Sequence, residues 1–197
     1  MEEPISFVSG NLRLAGMLEK EGDARAVIIT HPHPLYGGDM DNPVVRAVRR
    51  AYLGKGYSTM RFNFRGTGES EGRYDNGVGE REDVQAAIAW LVGLGMTAVD
   101  LAGYSFGAWV NAGVRAGFQR MVMVSPPVAF IDFGPPVHLP RLHLIVTGDG
   151  DDIAPAGIIS AFRAQWNPAA AFEVIPGADH FYSRSLEALE KTLAAHI

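Results

Sequence analysis

Three kinds of side chain in this sequence suit nucleophilic acyl chemistry, provided the fold brings them together. They are a serine set between glycines, six histidines, and a loop crowded with aspartates. Ser105 lies in "AGYSFGAWV", the pattern G-x-S-x-G, directly after the apolar run "TAVDL". A serine at such a strand-to-helix junction, with Gly103 and Gly107 beside it, is raised on a sharp turn with its hydroxyl clear of the backbone. The backbone N–H of Phe106 then faces the place where an oxyanion would develop. The same stretch also suits a serine that merely caps the following helix.

A neutral serine is a weak nucleophile and needs a base, normally an imidazole. His180, in "VIPGADHFYS", follows the last apolar run on a loop opened by Pro176 and Gly177, and is the best-placed candidate. His143 lies inside an apolar run, His138 in a Pro-rich loop and His196 near the chain end, while His31 and His33 follow an earlier run. The imidazole needs a carboxylate to fix its tautomer and stabilise its charged form. "LHLIVTGDGDDIAP" supplies Asp149, Asp151 and Asp152. Asp151, further out on the loop, is the favoured partner and Asp149 the second choice, with at least one of the three explained as a solvated turn before a helix.

These residues must be positioned by regular elements, and the chain alternates between two patterns. "ISFVSGNLRLAGMLEKE" reads as two strands around Gly10 and Asn11. "RAVIITH", "STMRFNFRG", "TAVDLAGYS", "RMVMVSPPV", "RLHLIVTGD" and "AAFEVIPG" are short, nearly continuous apolar runs. Between them stand helical stretches: "DNPVVRAVRRAYLGKG", with Asn42 at the cap and Pro43 at the first position, then "EREDVQAAIAWLVGLG", "FGAWVNAGVRAG", "AGIISAFRAQW" and a closing "SLEALEKTLAAHI". This alternation predicts an α/β fold over residues 1–197 as one domain, a mostly parallel sheet of about eight strands with helices on both faces. In open sheets of this kind ligands bind beyond the carboxyl ends of the strands, where all the candidate residues lie.

Composition narrows the classes. The chain has 17 basic and 22 acidic residues, a net charge of -5, so it carries no general attraction for phosphate backbones or anionic membranes. The densest basic cluster, Arg46 to Arg50, has the spacing of a solvent-facing helix side. Cysteine is absent, which excludes disulfides, thiolate metal sites and a cysteine nucleophile. The longest uncharged stretch, Val84 to Val99, is shorter than the roughly 20 residues of a spanning helix. "MEEPISF" lacks the basic and apolar regions of a signal peptide. A cytoplasmic protein with no nucleic-acid or membrane partner is expected, its oligomeric state open.

The order Ser105, Asp151, His180 after successive strands, with "GYSFG" as a nucleophile elbow, resembles the α/β-hydrolase superfamily over essentially the whole chain. "GDGDDIAP" is similar to the family's acid loop, in which the aspartate three residues after the glycine is the triad member, here Asp151. "GADHF" resembles the histidine loop, and "HPHPLYGG" (31–38) the oxyanion loop. With "RFNFRGTGESEG", the pattern looks most like small, lidless, dienelactone-hydrolase-like members. "AFIDFGPPVHLP" (129–140) is too short for a helical cap, so no cap domain is expected.

The resemblance implies a serine hydrolase that cleaves carboxylic esters, or thioesters or small amides, through an acyl-enzyme, with no cofactor. Pro32 and Pro34 have no N–H, which leaves His33, Leu35 or Tyr36 as second oxyanion donor. Leu35 and Tyr36 are preferred because Gly37 and Gly38 let the turn fold over the serine. Phe130, Ile131, Phe133, Tyr36, Trp109 and Phe181 are candidates for the wall of an apolar substrate pocket, or for ordinary packing. Two rivals stand beside this reading: a metal held by His31, His33 and Asp39, and a non-catalytic binding module on the same fold.

Overall fold

A computed structural model describes residues 1–22, 24–135 and 137–197. Eight strands alternate with five helices: β1 (Glu3–Ser9), β2 (Leu12–Glu19), β3 (Arg25–Thr30), α1 (Pro43–Leu53), β4 (Ser58–Phe62), α2 (Val78–Gly93), β5 (Ala98–Tyr104), α3 (Phe106–Ala112), β6 (Met121–Val124), β7 (Leu142–Gly148), α4 (Ala156–Trp166), β8 (Ala171–Ile175) and α5 (Leu186–His196). They form one sheet in the order β1-β2-β4-β3-β5-β6-β7-β8. The β1–β2 and β2–β4 pairs are antiparallel, and every other pair is parallel.

The apolar runs are continuous because both faces of the sheet are covered. Side chains alternate across a strand, so Ala26 and Ile28 of β3 join one core while Val27 and Ile29 join the other. The first core takes Val84, Ala87 and Leu91 from α2, Phe106 and Val110 from α3, and Ile159 and Trp166 from α4. The second takes Val44, Val48 and Tyr52 from α1, and Leu189 and Leu193 from α5. Each such fully buried aliphatic side chain contributes roughly 2 kcal/mol to the hydrophobic term. The α/β architecture with a mostly parallel sheet is therefore the one the alternation predicts.

Element boundaries agree where local chemistry sets them. Asn42 caps α1, its Oδ1 accepting the Val44 N–H at 2.9 Å ahead of Pro43. Two helices differ from the sequence reading. α2 starts at Val78, before the acids taken as its start, and Glu80 is fully buried, its carboxylate accepting the N–H groups of Asp75 and Gly77. α3 stops at Ala112 rather than continuing towards Gly117, because the Val114 N–H closes onto the Asn111 carbonyl and Gly113 ends the helix. Among the described residues no helix lies between β6 and β7, so no cap covers the carboxyl edge of the sheet.

Candidate active site

At the end of the central strand β5 the chain turns sharply into α3, and Ser105 occupies the turn with φ 53° and ψ −119°. A non-glycine residue in this region costs on the order of 1–3 kcal/mol, a strain that recurs at functional positions. The turn can be this tight because Gly107 has no side chain: a Cβ there would collide with the carbonyl and hydroxyl of Thr30 on β3. The Ser105 N–H is held by the Val124 carbonyl at 2.9 Å. Its hydroxyl makes no cap bond to α3, which disposes of the capping role considered for it.

Instead, Ser105 Oγ lies 3.0 Å from His180 Nε2, and His180 Nδ1 lies 2.9 Å from both carboxylate oxygens of Asp151. Three residues 75 and 29 positions apart in sequence thus form one hydrogen-bonded line. The carboxylate on Nδ1 places the ring proton there and leaves Nε2 as acceptor for the serine O–H. Ser105, Asp151 and His180 are all buried, at 7%, 3% and 7% exposure. Burial alone pushes the Asp151 carboxyl upward, but the His180 ring, the Ser125 hydroxyl and the Ala154 N–H outweigh it and hold the group below the ordinary carboxylate value. Asp151 Oδ1 also accepts the N–H groups of Ile153 and Ala154 at 3.0 and 2.7 Å, so the same carboxylate orders its own turn.

Asp149, the second choice for the acid, does a different job. Its Oδ1 accepts the Gly177 N–H at 2.6 Å, and the Gly150 N–H bonds the Ala178 carbonyl, which ties the acid loop to the histidine loop. Behind the line stand hydroxyls that pattern reading passed over. Tyr104 OH donates to the His180 carbonyl at 2.9 Å, and Ser125 Oγ lies 2.9 Å from Tyr182 OH. Ser125 is the polar residue that directly follows β6, so the rule that drew attention to the other strand ends applied to it as well.

The oxyanion loop departs from expectation. Leu35 and Tyr36 lie in a short 3-10 turn, Pro34–Tyr36, capped by His33. The Leu35 N–H donates to His33 Nδ1 at 3.2 Å and the Tyr36 N–H to the His33 carbonyl at 3.1 Å. Both preferred donors are therefore engaged within the loop. The His33 and Phe106 N–H groups, by contrast, have no acceptor among the described residues. His31 is fully buried, with Nδ1 at 2.7 Å from the Pro32 carbonyl and Nε2 accepting the Phe64 N–H at 3.0 Å. With both ring nitrogens engaged, it is no metal ligand, and no cluster of three His, Cys, Asp or Glu side chains converges among the described residues.

A cavity of about 390 Å³ opens beside Ser105. Tyr36, Phe130, Ile131 and Phe181 line it as expected, joined by His33, Asn42 and Ile153. Tyr36 and Phe130 meet across the mouth with ring centroids 5.8 Å apart, although both remain largely exposed. Phe133 and Trp109 are not part of this wall. They line a second cavity on the other side of the 129–135 segment, where Phe133 stacks on Trp166.

Residues 16–136 match the family described as X-Pro dipeptidyl-peptidase (S15 family). The chain belongs to the S15 family of the α/β-hydrolase superfamily. The matched region includes the elbow and ends before Asp151 and His180. Over 99% of its length this α/β hydrolase resembles an alpha-beta serine hydrolase homologue from Coxiella burnetii, with 36% identity, a TM-score of 0.88 and 97% of that chain covered. A lidless α/β serine hydrolase from Xanthomonas campestris is 28% identical, with a TM-score of 0.90, over 99% of this chain and 93% of the other. An uncharacterized protein of Rickettsia prowazekii is 35% identical over 96% of this chain and 86% of its own. The S15 member thus has the lidless serine-hydrolase fold. No helix among its described residues is long and apolar enough to cross a membrane.

Proposed function

We propose that this α/β hydrolase is an esterase that cleaves small carboxylic esters carrying an apolar acyl or alcohol group. The observation that carries the reading is the line Ser105 Oγ–His180 Nε2–Asp151, closed at 3.0 and 2.9 Å. Ser105 attacks the ester carbonyl as His180 Nε2 takes its proton, and Asp151 stabilises the imidazolium. The N–H groups of Phe106 and His33 receive the tetrahedral oxyanion. Collapse of that intermediate expels the alcohol, which takes the proton from His180, and leaves an acyl-Ser105. Water, deprotonated by His180, then attacks the acyl carbon and releases the acid and a free serine.

The family's description raises a peptidase as the rival substrate class. A dipeptidyl-peptidase must hold a free amino terminus, which calls for a carboxylate near the scissile bond. The catalytic cavity is lined by aromatic, aliphatic, glycine and neutral polar residues, with no Asp or Glu among them. The apolar rim of Tyr36, Phe130 and Phe181 favours an uncharged, hydrophobic ester instead.

Fluorophosphonate labelling with peptide mapping, followed by assays on p-nitrophenyl esters and on X-Pro p-nitroanilides, tests the reading. The expected result is one adduct, on Ser105, and ester turnover that vanishes in Ser105→Ala. Faster cleavage of the dipeptide anilides would replace the esterase with a peptidase. Absence of an adduct on folded protein would favour a non-catalytic binding module.

A further inference from the structure

The second cavity, about 300 Å³, is lined by residues of α2, α3 and α4 together with Phe133, Pro135, Val137 and Leu139, and the esterase reading leaves it unused. Its walls are aromatic: Trp109 from α3, Trp166 from α4 and Phe133 between them, with Leu139 also lining it. Its charges are of one sign, Arg81 from α2 and Arg115 after α3, in a chain whose net charge is -5.

Arg81 is built into this cavity. Its guanidinium lies 5.0 Å from the centroid of the Trp109 ring. It also rests against the backbone of Gly113, where a Cβ would collide with Arg81 Nε and Cδ. Trp109 is seated in the same way, since a Cβ on Gly77 would strike the far edge of its indole. The Trp109 Nε1–H is anchored by the Asp132 carbonyl at 3.0 Å. The Asp132 carboxylate does not answer the arginines; it accepts the Gly134 N–H at 2.7 Å.

Most cations of this protein that are fixed in place have an acidic partner, as Arg61, Arg65 and Arg120 do. Arg81 and Arg115 take part in no ion pair among the described residues. Arg81 Nε is buried with no hydrogen-bond acceptor among the described residues. A guanidinium held in place over an indole, with its charge unanswered, is preorganised for an anion that also offers a flat apolar face.

We infer that the cavity lined by Arg81, Trp109, Arg115, Phe133 and Trp166 is a binding site for a planar aromatic carboxylate, separate from the Ser105 cavity. The ring packs against Trp109 and Phe133, with Trp166 buried behind Phe133, and the carboxylate faces the terminal guanidinium nitrogens of Arg81, with Arg115 at the rim. The cavity has room for a single-ring or two-ring acid. One stretch of chain contributes to both cavities, Phe130 and Ile131 to the first and Phe133 to the second.

Cinnamate titrated into the full-length protein tests the site by calorimetry and by the NMR shifts of the indole N–H groups. Two of the three tryptophans lie in this cavity, so Trp109 and Trp166 report on it while Trp90 serves as internal control. Saturable binding is expected, moving Trp109 and Trp166 but not Trp90. It persists when Ser105 is blocked by a fluorophosphonate or, should the serine fail to react, in Ser105→Ala. Arg81→Gln weakens it at least tenfold and Arg81→Lys less. Cinnamamide, which has the same ring and no charge, binds at least tenfold more weakly to the unaltered protein, a comparison that needs no variant to fold. Absence of saturable binding, loss of binding on blocking Ser105, or equal affinity for acid and amide would each overturn the inference. None of these outcomes bears on the esterase assignment, which is tested separately by labelling.

Discussion

Ser125 and Tyr182, 57 residues apart, share a hydroxyl–hydroxyl bond of 2.9 Å directly behind Asp151. Both side chains are fully buried, and both residues hold positive φ, 45° and 52°, without being glycine. Strain of this kind persists only where the surroundings enforce it. Tyr182 and Ser125 satisfy each other, and the Ser125 hydroxyl is among the groups that hold the Asp151 carboxyl below its ordinary value. In the proposed mechanism the pair would position the acid.

Ser125→Gly separates positioning from packing. Glycine suits φ 45° better than serine, which offsets part of the cost of leaving the buried Tyr182 hydroxyl without its partner, so the variant should stay folded and lose no more than about 2 kcal/mol. Loss of the hydroxyl, which helps hold the Asp151 carboxyl below its ordinary value, should lower kcat by roughly tenfold. The low-field Nδ1 proton of His180 should move upfield in the same variant, and Tyr182→Phe should produce a smaller change in the same direction. An unaltered His180 resonance with full activity would reduce both residues to packing.

A second pair of variants probes the elbow. Ser105→Ala and Ser105→Gly should lose ester hydrolysis alike, by about 10³-fold or more. They should differ in stability, because only glycine relieves the backbone at φ 53°. Urea denaturation should place Ser105→Gly about 1 kcal/mol above Ser105→Ala.

His31 predicts a pH dependence of stability. Burial lowers its pKa to about 4, with the Pro32 carbonyl opposing, against 6.5 for the exposed ring. Between these values the unfolded chain binds a proton that the folded protein refuses, so stability rises with pH across this window. His31 thus contributes stability that is fully present above about pH 6.5 and is lost as the pH falls to about 4, on the order of 3 kcal/mol in all. Denaturation at several pH values should show a shallower slope in His31→Gln than in the parent, whatever the carboxylates add to both.

The mouth of the catalytic cavity should govern affinity rather than chemistry. Tyr36 and Phe130 contact each other across it, and among the described residues neither hydrogen-bonds to Ser105, His180 or Asp151. Tyr36→Ala and Phe130→Ala should each raise KM for hydrophobic p-nitrophenyl esters several-fold and leave kcat within about twofold. A fall in kcat at constant KM would instead assign these rings to the transition state.

Much of this protein was legible without coordinates because its signals are local. The continuous apolar runs mark strands buried on both faces, and Asn42-Pro43 announces the start of α1 where the structure has it. Gly103 and Gly107 frame a turn that only glycine permits, and the polar residues that follow the strands include Ser105, Asp151 and His180, which lie in one hydrogen-bonded line. Tertiary structure decided what depends on where a group's second bond goes. Leu35 and Tyr36 were reasonable oxyanion donors in the sequence, but their N–H groups turn onto His33, whose own N–H has no acceptor among the described residues. Asp149 differs from Asp151 by two positions in one loop, yet one carboxylate meets a backbone N–H of the histidine loop and the other meets the imidazole. Trp109 and Phe133 have the composition expected of the wall beside Ser105 but line a separate cavity. Apolar periodicity is written along the chain. Hydrogen-bond partnership between loops arises only when the sheet brings their ends together.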